Sequence, residues 1–173
     1  MRWLVALLLG SGVSVPVSAI EPVAGASESV SVCYNYGCLS EGEVWYSAAQ
    51  LRRVHDLLAD ARSDAHERAL LSVAVGWMLG WAGQQTPISA DRGGNYADDG
   101  VYGRMDCIDH STTTTRLLRM IERRGWLHFH RVAEPVLRTN FLVFEHYSAQ
   151  IEVVAPSEGD PVLYVVDSWF FDN

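Results

Sequence analysis

Residues 105–132, MDCIDHSTTTTRLLRMIERRGWLHFHRV, contain the point where the chain changes from helical to extended patterning. Asp106 is typical of a helix start, because its side chain accepts hydrogen bonds from the free N–H groups of the first turn. Gly125 is typical of the residue just beyond a helix end. The branched and aromatic residues that follow favour strands. The stretch predicts a helix over 106–124 with an apolar face, followed by β-structure. That face contains Leu117, Leu118, Met120 and Ile121.

Two further helices are predicted ahead of this stretch. Apolar residues recur at helical spacing over 48–62, which predicts an amphipathic helix. Ser47 and Gln50 stand where their side chains would satisfy each other's backbone N–H groups at its start. Residues 69–82 are apolar nearly all round and predict a buried central helix that begins near Asp64.

Three strands are predicted after Gly125. Residues 126–132, 140–154 and 162–167 are rich in β-branched and aromatic side chains. Residues 156–160 predict the turn that joins the last two strands. Helices followed by consecutive strands indicate an α+β domain, in which N-terminal helices pack on a C-terminal antiparallel β-sheet.

Composition narrows the function classes. The chain has 173 residues, 49% of them hydrophobic and 20% charged, which is typical of one globular domain. The net charge of −8 and the absence of a basic stripe argue against nucleic acid as a partner. All 13 basic residues are arginine, so no lysine is available as a nucleophile or Schiff-base former.

The first residues predict an export signal. Arg2 precedes an apolar run, and Val17-Ser18-Ala19 places small side chains where a signal peptidase would cleave. We expect a signal peptide over 1–19, a lead-in segment over 20–46 and one domain over 47–173. The apolar run is too short to cross a membrane, so we expect a periplasmic or secreted protein without stable membrane insertion after cleavage.

The three cysteines divide into a pair and a single residue. Cys33 and Cys38 lie in a turn-rich stretch, where a disulfide is plausible in an oxidising compartment. That pairing leaves Cys107 as a free thiol, which in an exported protein suggests a reactive group. A small buried structural cysteine and mixed pairing among the three remain alternatives.

The position of Cys107 indicates thiol chemistry. It falls in the first turn of a predicted helix, where partial positive charge and free N–H groups favour a thiolate and could steady an oxyanion. His146 and Asp167 fall on two strands that the predicted hairpin sets side by side, with Asp167 near Ala149. A carboxylate beside the imidazole would orient it as the base for the thiol.

The same residues resemble a known family. Asp106-Cys107-Ile108-Asp109 is similar to the nucleophile segment of the bacterial transglutaminase-like cysteine proteinase superfamily. Residues 146–153 resemble its histidine strand, and residues 164–169 resemble the strand that ends in its aspartate. The resemblance covers about residues 64–173. It implies a papain-like core, a Cys107–His146–Asp167 triad, and peptidase, amidase or acyl-transfer activity on a protein or peptide without a cofactor. It also makes Gln84 or, preferably, Gln85 a candidate oxyanion donor.

Other interpretations use other residues. A zinc site is one alternative, because its ligand types occur at Cys107, His110, His128 and His130. A weak calcium-site pattern is offered by Asp91, Asn95, Asp98 and Asp99. A non-catalytic binding module of the cell envelope would instead present aromatic residues at Tyr34, Tyr36, Trp45 and Tyr46.

Overall fold

The structure, a computed structural model, describes residues 26–94, 96–140, 144–154 and 160–170. The predicted signal peptide lies outside the described residues, as does most of the predicted turn over 156–160. In chain order the elements are β1 Glu28–Tyr34, β2 Ser40–Tyr46, α1 Ala48–Ala59, α2 Asp64–Gly83, a 3₁₀ turn Pro87–Ala90, α3 Cys107–Arg123, β3 His130–Asn140, β4 Phe144–Val153 and β5 Leu163–Val166.

The predicted α+β class is confirmed. The described residues form three α-helices and two antiparallel sheets, a β1–β2 hairpin and a three-stranded sheet in the order β3–β4–β5. Helix α3 lies between the sheets and packs against β1 on one side and β3 and β4 on the other. Its Leu117, Leu118 and Ile121 are fully buried there.

The β1–β2 hairpin was not expected from the sequence. Glu28 pairs with Tyr46 and Tyr34 with Ser40, so two strands occupy residues 28–34 and 40–46 of the segment predicted as a lead-in. Val32 and Val44 are fully buried in the same core as α3. From Glu28 onward this segment is therefore part of the fold, because residues of β1 bury apolar side chains.

Helix α2 is buried on one face only. Leu71, Met78 and Ala82 are buried, whereas Val73 on the opposite face is 42% exposed. The prediction of a helix buried all round is therefore wrong. No helix in the described part of the chain is long and apolar enough to cross a membrane.

Strand β3, the first of the strands predicted after Gly125, begins later than predicted. Residues 126–129 are not in a strand, and β3 runs from His130 to Asn140. Its pairing with β4 shifts between Ala133 and Val136, a bulge that contains Pro135. Proline lacks the N–H that a ladder needs, so a bulge is one of the few places where a strand accepts it.

Candidate active site

Cys107 is the first residue of α3 and a free, half-buried cysteine. The helix starts there because Asp106 caps it: Oδ1 of Asp106 accepts from Ile108 N at 3.0 Å and from Asp109 N at 2.9 Å. Asp109 completes the reciprocal capping box by accepting from Asp106 N at 3.1 Å. The predicted placement of the thiol in a first helical turn is confirmed.

The disulfide loop is docked on this helix start. Cys33 and Cys38 are bonded to each other, as the sequence suggested. The intervening turn donates three backbone N–H groups to the start of α3: Tyr36 N and Cys38 N to Asp109 at 2.8 and 2.6 Å, and Gly37 N to Asp106 at 2.9 Å.

The backbone of this turn has an unusual conformation. Positive φ angles, between 58° and 69°, occur at Asn35, Tyr36, Gly37 and Cys38. Successive N–H groups in such a turn form a concavity that binds oxygen anions, here two aspartates.

Burial is the main reason that the pKa of Asp109 is raised to about 6. An unfolded aspartate loses its proton at a pKa of about 3.9. Between that pH and about 6, Asp109 therefore keeps its proton in the folded chain but not in the unfolded chain. Its contribution to stability is complete at low pH and is lost as pH rises through about 6. We expect Asp109→Asn to remove this loss of stability with rising pH. The difference in unfolding free energy between the variant and wild type should therefore change between pH 4.5 and pH 7. Urea titrations at both pH values measure the difference. The exposed Asp99→Asn is the control, and the same difference at both pH values would contradict the assignment.

His146 and Asp167 form a close pair. His146 Nε2 lies 2.7 Å from Asp167 Oδ2, and both side chains are largely buried. Ala149 pairs with Val166 across β4 and β5, so the register differs by one residue from the predicted one. That difference brings Asp167 beside Ser148, one residue closer to His146 than expected. The predicted neighbourhood of imidazole and carboxylate is therefore present.

Asp167 has two further side-chain partners that the sequence did not predict. Arg138 Nη2 lies 2.6 Å from Asp167 Oδ2, and Ser148 Oγ donates to the same oxygen at 3.0 Å. Arg138 also donates to Ser148 Oγ at 2.7 Å. Arg138 is the cross-strand partner of His146, so knowledge of the β3–β4 register would have pointed to it.

Aromatic rings cover the imidazole. The ring centre of Trp169 lies 5.1 Å from that of His146, and the ring centre of Phe170 lies 5.9 Å away. Trp169 is 3% exposed, whereas Phe170 is 59% exposed. Since Nε2 of His146 faces Asp167, Nδ1 is the nitrogen left for a thiol.

The thiol of Cys107 lies against β4 next to His146. Burial raises the pKa of the Cys107 thiol, the backbone N–H of Tyr147 lowers it, and the carboxylate of Asp106 raises it again. The expected preference for a thiolate is therefore wrong for the resting site. Burial of the thiol is the main reason. Asp106 adds to it, because it takes the first-turn N–H groups of Ile108 and Asp109 and places a negative charge at the positive end of the helix.

Within the described residues, the Cys107 sulfur does not form a direct hydrogen bond with the His146 ring. The Cys107 thiol interacts with the Tyr147 backbone N–H, and Tyr147 is the next residue along β4 from His146. Catalytic hydrogen bonds are often long in a ligand-free site and shorten when substrate binds.

A buried polar cluster fixes the segment after β5. His110 Nδ1 lies 2.9 Å from Ser168 Oγ, and His110 Nε2 lies 3.0 Å from Asp91 Oδ2. Thr114 Oγ1 lies 2.9 Å from the same Ser168 oxygen. This cluster ties Ser168, and with it the neighbouring Asp167, to helix α3. It also gives a reason for threonine in the middle of a helix, where β-branched residues are otherwise unfavourable.

An apolar cleft of about 600 Å³ lies between α2 and β5. Its described lining includes Val73 and Gly76 of α2, and it borders Asp167 and Ser168. Arg68 at its edge lies over the Tyr164 ring, 3.8 Å from the ring centre. Cys107 is not among the described residues that line it, so the cleft adjoins the site without enclosing the sulfur.

Gln85 does not fit the expected role of oxyanion donor. Its Oε1 accepts from Trp45 N at 2.9 Å, and its Nε2 donates to Trp45 O at 3.1 Å and to Trp81 O at 3.3 Å. The amide is therefore used to join the end of α2 to β2. Gln84, which caps the end of α2, is exposed.

The predicted zinc ligands are not brought together. His130 Nδ1 lies 2.7 Å from the buried Glu67, and His110 is held by Asp91 and Ser168. His128 is exposed. Within the described ranges the one cluster of ligand-type residues is Cys33, Cys38 and Asp109, and its two sulfurs form the disulfide. The zinc hypothesis is therefore wrong for these four residues.

The structure also gives other surroundings to the proposed calcium ligands and to the proposed surface aromatic residues. Asp91 faces His110, and Asp98 lies 2.7 Å from Arg104, so both carboxylates have other partners; Asn95 is outside the described residues. Of the four proposed surface aromatics, Tyr34 and Tyr46 are buried and Trp45 is 61% exposed. These residues therefore do not form one exposed aromatic surface.

Comparison with protein-family models, curated proteins and solved structures finds no match for this chain.

Proposed function

We propose that this protein is an exported thiol enzyme that transfers acyl groups from peptide or amide bonds, with Cys107, His146 and Asp167 as its catalytic residues. The observation that carries the proposal is the 2.7 Å pair between His146 of β4 and Asp167, which follows β5, together with a free Cys107 thiol that interacts with the backbone of Tyr147 on β4. A carboxylate fixes the imidazole and stabilises its cation, which is what a thiol with a raised pKa requires from its base.

The proposed reaction proceeds in two stages. Cys107 Sγ attacks the carbonyl carbon of an amide as His146 takes the thiol proton, and a tetrahedral oxyanion forms. The C–N bond then breaks, His146 gives its proton to the leaving amine, and a thioester remains on Cys107. Water resolves the thioester to a carboxylic acid, or a second amine resolves it to a new amide, and the free thiol is restored.

The chain's own backbone is the proposed oxyanion donor. Asp106 occupies the N–H groups of Ile108 and Asp109, and the side-chain amide of Gln85 is used elsewhere. We assign the role to the backbone N–H of Cys107, because it belongs to the same first helical turn as the reacting sulfur. A donor of this kind contributes about 10²–10³ in rate when it meets the developing charge.

The transglutaminase-like, papain-like architecture belongs to the same proposal. A helix that begins with cysteine and packs on an antiparallel sheet carrying histidine and aspartate is consistent with it. The Cys33–Cys38 disulfide supports a periplasmic or secreted location, because such bonds persist in oxidising compartments.

Alkylation by iodoacetamide tests the proposal without a known substrate. Cys107 is the free cysteine of the chain, so under non-reducing conditions the label reports on one thiol. At pH 7 we expect His146→Ala to slow alkylation at least about tenfold, because the thiol loses the base that would hold its proton. The rate is followed by intact-protein mass spectrometry.

His128→Ala is the matched control, since His128 is exposed and lies outside the site. An unchanged rate in His146→Ala, with unfolding free energy as in wild type, would reject the triad. It would favour a structural cysteine in a non-catalytic module.

A further inference from the structure

Arg138 occupies the same carboxylate oxygen as the proposed base. Its Nη2 lies 2.6 Å from Asp167 Oδ2, and His146 Nε2 lies 2.7 Å from that atom. The guanidinium therefore neutralises much of the charge that would otherwise stabilise a protonated His146. Its own cation also stands one strand away from the imidazole, as the direct partner of His146 in the sheet.

The remaining contacts of Arg138 do not require a cation at this position. Its other side-chain hydrogen bond goes to Ser148 Oγ at 2.7 Å, and its buried Nε has no hydrogen-bond partner. The side chain is 38% exposed. Ser148 and the Trp169 N–H, which lies 3.2 Å from Oδ1, would still bond to Asp167 without it.

We propose that Arg138 is a positioning residue that acts through Asp167 to restrain protonation of His146, and so keeps Cys107 in the thiol form until substrate binds. This inference rests on the proposed triad. Charges separated by a few ångströms at a partly buried site change a protonation equilibrium by about tenfold or more.

The groups that face this imidazole come from several elements. Asp167 follows β5 and Arg138 is on β3, whereas Cys107 with its neighbour Asp106 comes from the start of α3. Trp169 and Phe170 contribute uncharged rings. On β4 itself the neighbouring charge is Glu145, whose side chain is exposed.

The test is the pH dependence of Cys107 alkylation by iodoacetamide in Arg138→Met. Removal of the guanidinium favours the imidazolium–thiolate pair, so we expect about a tenfold faster reaction at pH 7. The acid limb of the profile should move down by about one pH unit. A direct effect of Arg138 on the sulfur has the opposite sign, because loss of a nearby cation disfavours a thiolate.

Two variants separate the explanations. Arg138→Lys keeps the charge and should leave the profile within about twofold of wild type. Arg131→Met removes an exposed arginine from the same strand, one paired with Glu152, and should change nothing. Urea unfolding of each variant confirms that the fold is retained.

The background variant His146→Ala makes the outcome decisive. Acceleration by Arg138→Met must disappear in that background; an unchanged rate, a slower rate, or acceleration in both backgrounds would overturn the role of Arg138. If His146→Ala does not slow the otherwise wild-type protein, the triad itself is wrong. A slow His146→Ala together with an unaltered Arg138→Met profile removes only this inference.

Discussion

Cys107→Ser should abolish acyl transfer while the fold remains intact. The hydroxyl is a far weaker nucleophile than a thiol under the same base, and loss of a nucleophile costs on the order of 10³-fold or more in rate. The sulfur is half-buried at a helix start whose caps are Asp106 and Asp109, so serine should be accommodated with little change in stability. Release of fluorescent fragments from labelled casein reports hydrolysis, and incorporation of dansylcadaverine into casein reports transamidation.

The other members of the triad supply graded controls. His146→Ala should be as inactive as Cys107→Ser, whereas Asp167→Ala should retain more activity, because Asp167 orients the base without touching the carbonyl. A Cys107→Ser variant with wild-type activity and stability would reject the mechanism. Activity that depends on Cys107 but is equal in wild type and His146→Ala would reject the role of His146.

Glu67→Ala should cause the largest loss of stability among the substitutions considered. The carboxylate is fully buried and accepts from His128 N at 2.6 Å, Phe129 N at 3.0 Å and the His130 ring at 2.7 Å. Truncation leaves two backbone N–H groups and a buried imidazole without their partner, which costs about 3–5 kcal/mol for a buried pair. Equilibrium unfolding in urea measures the loss.

The exposed Glu134 serves as the control for Glu67→Ala. Glu67 lies on α2 and holds the segment that enters β3, so its loss should separate the helix from the sheet. Glu134, which is 88% exposed and pairs with Arg119, should cost less than about 1 kcal/mol when changed to alanine. Equal losses for the two variants would show that the buried network contributes nothing of its own.

The sequence predicted the helices more accurately than the strands. The capped start at Asp106 and the Gly125 signal gave α3 almost to the residue, because local hydrogen bonds and backbone freedom determine helix ends. The β1–β2 hairpin was missed, since its turn lies in a stretch that was interpreted only as a disulfide loop. Strand pairing depends on contacts across the sheet, which local propensity does not encode.

In the site, too, local patterns were predicted better than contacts between residues distant in the chain. The predicted hairpin register placed Asp167 near Ala149, one residue from its observed position beside Ser148, and the disulfide followed from cysteine spacing. The family resemblance suggested Gln85 as an oxyanion donor on residue type, but its amide bonds to Trp45. Histidine chemistry alone likewise suggested zinc, but His130 bonds to Glu67. Residue type states what a side chain is able to do and not which neighbour has already engaged it.

The sequence by itself determined the three helices, the presence of strands after Gly125 and the position of Cys107 at the first turn of α3. Only the tertiary structure decided the charge environment of the site: the disulfide loop that donates to Asp106 and Asp109, and Arg138 on the oxygen that faces His146. The reason is physical. Helix ends arise from interactions within a few residues, whereas a protonation equilibrium responds to every charge within several ångströms, whatever its distance along the chain.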